Sequence, residues 1–180
     1  MPSHIRSFRN VLSRFRRNRG GSTVVEFALV APMFFALLFA IMETALMFFA
    51  SQVLETAVQD SARLIMTGQA QTAAYTQAQF KTAVCSRITT MFDCAGGIYV
   101  DVQNYPSFSS VNVTNPIDAS KNFTNPNNYS PGGAGDIVVV RLFYKWPILV
   151  TKFGYDISNL SGSKRLLVAT AAFQNEPFGP

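Results

Sequence analysis

From Phe27 to Ala50 the chain is apolar almost without interruption, broken by Glu43 and a few small or neutral polar residues. As a helix this stretch would extend about 36 Å, against about 30 Å of bilayer hydrocarbon, so it predicts one membrane-spanning helix with some tilt. A cleaved secretory signal would need a shorter apolar core and a small-x-small site, whereas this run ends in Phe48-Phe49-Ala50. Pro32 is compatible with a span, because membrane helices tolerate proline where neighbours or local adjustment satisfy the freed carbonyl. Helical spacing continues past the run. Val53, Leu54, Ala57, Val58, Ser61, Leu64 and Ile65 form one stripe, while Gln52, Glu55, Gln59, Asp60 and Arg63 face away, which predicts a stalk stopping at Gly68.

Further along, Thr76 and Gln79 have the spacing of a capping box, flanked by Tyr75 and Phe80 as a hydrophobic staple. A second helix is expected from there, with Phe80, Val84, Ile88, Met91 and Phe92 on its core face and its end before Gly96-Gly97. Three strands follow in the pattern. Ile98 to Tyr105 alternates, and Asp136 to Trp146 and Lys164 to Phe173 are rich in Val, Leu and Phe. Residues 106–135 are dense in Asn, Ser, Pro and Gly and read as a long exposed loop able to carry recognition. The expected fold is α+β: a long N-terminal transmembrane helix extending into a periplasmic stalk, then a short helix packed on a small antiparallel sheet.

Charge changes this picture at one end. The formal charge of +5 would suggest nucleic acid or anionic lipid, yet Arg6, Arg9, Arg14, Arg16, Arg17 and Arg19 all precede Gly21 with no acid among them. Removing these six from 15 basic residues leaves nine against ten acids. The basic character therefore belongs to a leader or tail, and no nucleic-acid reading motif accompanies it. Arg14, Arg16, Arg17 and Arg19 lie directly before the apolar run and place the N-terminus in the cytoplasm by the positive-inside rule. Everything after Ala50 is then outside.

Two cysteines, Cys85 and Cys94, lie in the exported part, where an oxidising compartment would allow them to join. In one unbroken helix they would be about 13 Å apart along the axis, so a bridge requires the helix's last turns to meet the chain just after it. Buried free thiols are the other reading. Two thiols lack the further ligands of a zinc site, and no cofactor is implied. The single histidine, His4, lies in the basic head, so the exported part has none. Its acids are scattered singly. Nothing assembles a nucleophile with a base, a carboxylate pair or a metal cluster, and no enzyme is expected.

The most informative motif is Gly20-Gly21-Ser22-Thr23-Val24-Val25-Glu26-Phe27. A basic leader ends in glycine and a glutamate follows at the fifth position, which resembles the processing site of type IV prepilins. The resemblance implies cleavage between Gly21 and Ser22 by a membrane aspartic peptidase. Glycine suits a threaded extended backbone because it offers no side chain to obstruct it. It also implies that Glu26 meets the terminal amine of a neighbouring subunit during assembly. The plain alternative is that Glu26 sits at headgroup depth and favours a helix N-terminus electrostatically. Phe27 stands where that pattern often has tyrosine. Glu43 lies deeper, and an intramembrane carboxylate implies a partner helix or, otherwise, a protonated or snorkelling side chain.

Taken together, Gly21 to Pro32, Ile41-Met42-Glu43, Gln52 to Arg63 and Gly68 resemble the N-terminal module of TadE-like proteins, pseudopilins of the tight-adherence (Tad, or Flp-type) pilus and secretion machinery. The organisation implied is a leader over 1–21, a transmembrane helix over 22–50 and a periplasmic domain over 51–180. The resemblance implies a minor pilin in the bacterial inner membrane, with the prepilin peptidase, other pilins or pseudopilins and the assembly platform as partners. Glu26, Phe27 and Glu43 are its expected assembly contacts. The alternative is an uncleaved, signal-anchored periplasmic binding or adhesion protein.

Overall fold

The computed structural model describes residues 21–88, 91–150 and 155–178. The chain divides into a unit up to Ile41 and a second from Met42 onward. Helix α1 runs from Ser22 to Met66 with Pro32 inside it. In the first unit it turns Val24, Phe27, Leu29, Met33, Phe34 and Leu37 outward. Its length and composition are sufficient to cross a membrane.

From Met47 onward in the second unit the same helix buries one stripe, including Ala50, Leu54, Ala57, Val58, Ser61 and Ile65, as the helical spacing predicts. Gly68 ends this region at φ 75°, and a Cβ there would collide with the ring of Phe178. Both the left-handed turn and the close approach require glycine. The amide of Glu176 donates to the carbonyl of Met66 at 2.9 Å, so the C-terminal segment satisfies one of the helix's unpaired carbonyls.

After the single turn α2 (Gln69–Thr72), helix α3 covers Gln77–Cys85. Its capping box is formed as expected: the Gln79 amide donates to the Thr76 hydroxyl and the Thr76 amide to Gln79 Oε1. Phe80 and Val84 are fully buried. The helix does not continue toward Gly96-Gly97, a correction to the expected length. It stops at Cys85, which is joined to Cys94 with their Cα atoms 5.8 Å apart, a separation that a continuous helix cannot provide across nine residues. Phe92 still reaches the core, now from the turn beyond the helix, and packs edge-on to Tyr144. A short turn α4 (Cys94–Gly97) leads into the sheet.

Strands β1 (Ile98–Tyr105), β2 (Ile137–Pro147) and β3 (Lys164–Gln174) form an antiparallel sheet in that order. One face carries Val100, Val102, Val138, Val140, Leu142, Leu167 and Ala169 against the buried stripe of α1 and against Phe80 and Val84. The other face is also covered. There Phe143, Leu160 and Leu166 cluster with Tyr99, Ile117 and Phe123, so β2 is buried on both sides from Ile137 to Tyr144.

Much of 106–135 is exposed, as expected, but Ile117, Phe123 and Tyr129 are half-buried and the segment is tied down. Asn128 and Ser130 bracket Val102 with backbone hydrogen bonds along the free edge of β1. Asp118 folds a tight turn by accepting from the amides of Asn122 and Ser120. The Asn122 amide is the main reason its carboxyl is held below the usual range. Desolvation, followed by the neighbouring Tyr75, raises the Tyr129 phenol to about 12.

The strongest tie is electrostatic. Asp101 and Arg141 are register partners on β1 and β2 and are almost completely buried. Arg141 donates from Nε and Nη2 to Asp101 Oδ2, at 3.0 and 2.7 Å, and from Nη1 to the carbonyl of Thr114 at 3.0 Å. The other Asp101 oxygen accepts from Asn128 Nδ2 at 2.8 Å. One ion pair thus fixes two points of the loop to the sheet. Removing one member of such a pair strands the other charge, so Asp101→Ala is expected to cost about 3–5 kcal/mol of stability. Chemical denaturation of the full chain in detergent measures this.

Candidate functional site

The sequence-predicted site residues lie in three places. Arg14, Arg16, Arg17 and Arg19 fall outside the described residues. Gly21 is exposed, with open space where a Cβ would be, and α1 begins at the next residue, Ser22. One turn on, Glu26 and Phe27 are exposed on the helix. Cys85 and Cys94 are joined as the exported reading allowed. This closure serves the fold, setting the end of α3.

Glu43 is in a different situation. It is buried, 8% exposed, within the second unit. Its carboxylate accepts two consecutive backbone amides from the segment after β2: Oε1 from Leu149, and Oε2 from Val150 at 3.0 Å. On the next residue of the helix, the Thr44 hydroxyl meets the Tyr155 phenol at 2.6 Å. The sequence suggests a partner helix for Glu43 or, otherwise, a protonated or snorkelling side chain; within the chain its carboxylate is met by backbone amides from 106 positions away in sequence.

Chemically this is a latch. Two adjacent N–H groups aimed at the two oxygens of one carboxylate form charge-assisted hydrogen bonds, roughly twice as strong as neutral ones. They hold an irregular segment against a helix. No local pattern in the sequence marks Leu149, Val150 or Tyr155 as partners of this level of α1. A signal was available for the buried Asp101–Arg141 pair, because Arg141 interrupts the apolar run Ile137-Val138-Val139-Val140 and Leu142-Phe143. A lone charge in a buried strand needs a partner. Among the described residues no group of three or more His, Cys, Asp or Glu could hold a metal ion.

Residues 21–63 match the family model described as TadE-like protein. The N-terminal segment of the chain is therefore similar to that of TadE-like proteins. The TadE-like segment starts at Gly21 and takes in Glu26, Phe27, Glu43 and most of the α1 stripe, and it ends before the disulfide and the sheet. No curated protein and no solved structure matches the chain.

If the Glu43 latch holds the 149–150 segment, removing the carboxylate must release those two amides. In Glu43→Ala, hydrogen exchange of peptides covering Leu149 and Val150 is expected to accelerate about tenfold to hundredfold, corresponding to about 1–3 kcal/mol for unsatisfied buried groups. Glu43→Gln, which keeps one carbonyl acceptor, should fall between. Exchange unchanged in both variants would show that the carboxylate does not secure the segment.

Proposed function

We propose that this chain is a TadE-like minor pilin of a Tad-type pilus, made as a precursor and cut between Gly21 and Ser22 by a prepilin peptidase. The observation carrying this reading is the coincidence of three boundaries: the family match begins at Gly21, the helix begins at Ser22, and the arginine-rich segment ends just before both. Its apolar helix is compatible with single-pass anchoring. The arginines favour a cytoplasmic N-terminus and an inner-membrane location, with residues 51–180 on the periplasmic side. A disulfide there is consistent with an oxidising compartment.

On this reading the protein acts by packing rather than by catalysis. Cleavage creates a positively charged amine at Ser22, and Glu26 of a neighbouring subunit is suited to receive it. A carboxylate at mid-bilayer costs about 2.5–3.5 kcal/mol on insertion scales, less near the end of a span, and pairing with an amine recovers part of that. The other pilins and the assembly platform are then the partners. Phe27 and Glu43 are the further expected assembly contacts, and Glu43 also holds the Leu149 and Val150 amides of its own chain.

N-terminal sequencing and intact mass of the protein recovered from membranes that contain the peptidase should give a mature chain starting at Ser22. An uncut chain would favour the signal-anchored alternative. Glu26→Gln should leave insertion and the latch intact while lowering recovery in assembled pili by about tenfold, the equivalent of about 1.4 kcal/mol of lost pairing. Normal assembly of that variant would remove the role given to Glu26.

A further inference from the structure

The segment held by Glu43 has an unusual exposure pattern. Ile148 is buried, yet the next residue, Leu149, is 82% exposed, beside a level of α1 where Leu46, Phe48 and Phe49 are also more than half exposed. Three consecutive amides in this irregular segment are nevertheless satisfied inside the chain. Ile148 donates to the carbonyl of Ser163 at 2.9 Å, and Leu149 and Val150 donate to Glu43. The nearby Thr44 and Tyr155 hydroxyls pair with each other. The backbone amides are satisfied inside the chain while the Leu149 side chain is turned outward. Water would satisfy exposed loop amides without help, whereas hydrocarbon cannot, and irregular backbone at membrane depth must find its partners in the protein.

The depth of this segment follows from the helix. Exposed apolar side chains of α1 recur from Val24 to Phe49, with Ala40, Glu43 and Met47 buried among them, a stretch longer than the roughly 20 residues that a bilayer core requires. A span of about 20 residues placed anywhere within that stretch includes position 43. A span of that length brings the level of Glu43 to or inside the hydrocarbon boundary. Lys164 pairs in register with Pro147, just before the segment, and is exposed. A cation there is suited to anionic headgroups, and Tyr155 carries an amphipathic ring of the kind enriched at membrane interfaces.

We propose that residues 148–150, with Tyr155, form a lipid-embedded collar by which the second unit enters the leaflet on its own side of the membrane. The inference rests on the membrane-anchored reading above. Its occupant is the acyl and headgroup region of a phospholipid bilayer. Glu43 positions the collar by holding its backbone, and Leu149 inserts among the acyl chains.

Tryptophan depth quenching tests this. The only tryptophan, Trp146, is replaced by Phe in the full chain. Single reporters are then placed by Leu149→Trp, by Leu37→Trp in the apolar helix and by Val113→Trp on the distal loop. Each is reconstituted in phosphatidylcholine and phosphatidylglycerol vesicles brominated at the shallow acyl positions. The 149 reporter should lose at least about half its emission, and the 113 reporter almost none. Quenching at 37 without quenching at 149 would overturn the collar and leave anchoring intact. Absence of quenching at either position would overturn both. If Trp146→Phe reduces the circular dichroism signal, the reporters are read in the native background as quenching beyond that of the parent.

Discussion

Everything in the second unit depends on one sheet face being covered by one helical stripe. The β face of Val100, Val102, Val138, Val140 and Leu142 is packed chiefly against the α1 stripe and against Phe80 and Val84 of α3. Burying an aliphatic side chain of this kind contributes roughly 1.5–3 kcal/mol. The helix that supplies the cover is apolar on all sides at its N-terminal end and apolar on one stripe at its C-terminal end. That change in pattern, between about Ala40 and Ala50, marks where a solvent of one kind gives way to a protein neighbour.

Most of the architecture could be read from local pattern because each element carried its own signal. The capping box at Thr76 and Gln79, the stop at Gly68 and the three strands depend on residues near one another in sequence, and they were found within a residue or so of their expected bounds. The end of α3 was not readable from periodicity. Ile88, Met91 and Phe92 keep helical spacing and are still used as packing residues, but the covalent closure to Cys94 determines the path of the chain. Periodicity reports which side chains face the core, and several backbones can satisfy it.

The same distinction separates the two carboxylates. Glu26 could be assigned a role from its distance to Gly21, a relation contained in eight residues. Glu43 could be flagged as out of place, but its partner could not be named, because Leu149 and Val150 contribute backbone amides that have no side-chain signature. The covering of the second sheet face was hidden for a related reason. Its agents, Ile117 and Phe123, are isolated apolar residues in a polar segment, and the buried pair of Asp101 with Arg141 gathers that segment by contacts to Thr114 and Asn128. A composition rich in Asn, Ser and Pro indicates irregular backbone, which need not be loose backbone.

The bond between Cys85 and Cys94 gives the polypeptide a chemical record of where it has been. Thiols stay reduced in most cytosols and are oxidised in exported compartments. The short ring they close fixes the path leading to Phe92, whose edge rests on Tyr144 in the middle strand. A copy kept among reductants would therefore reach its sheet with that aromatic contact untethered, so the redox state of two sulfurs records which compartment the chain has folded in.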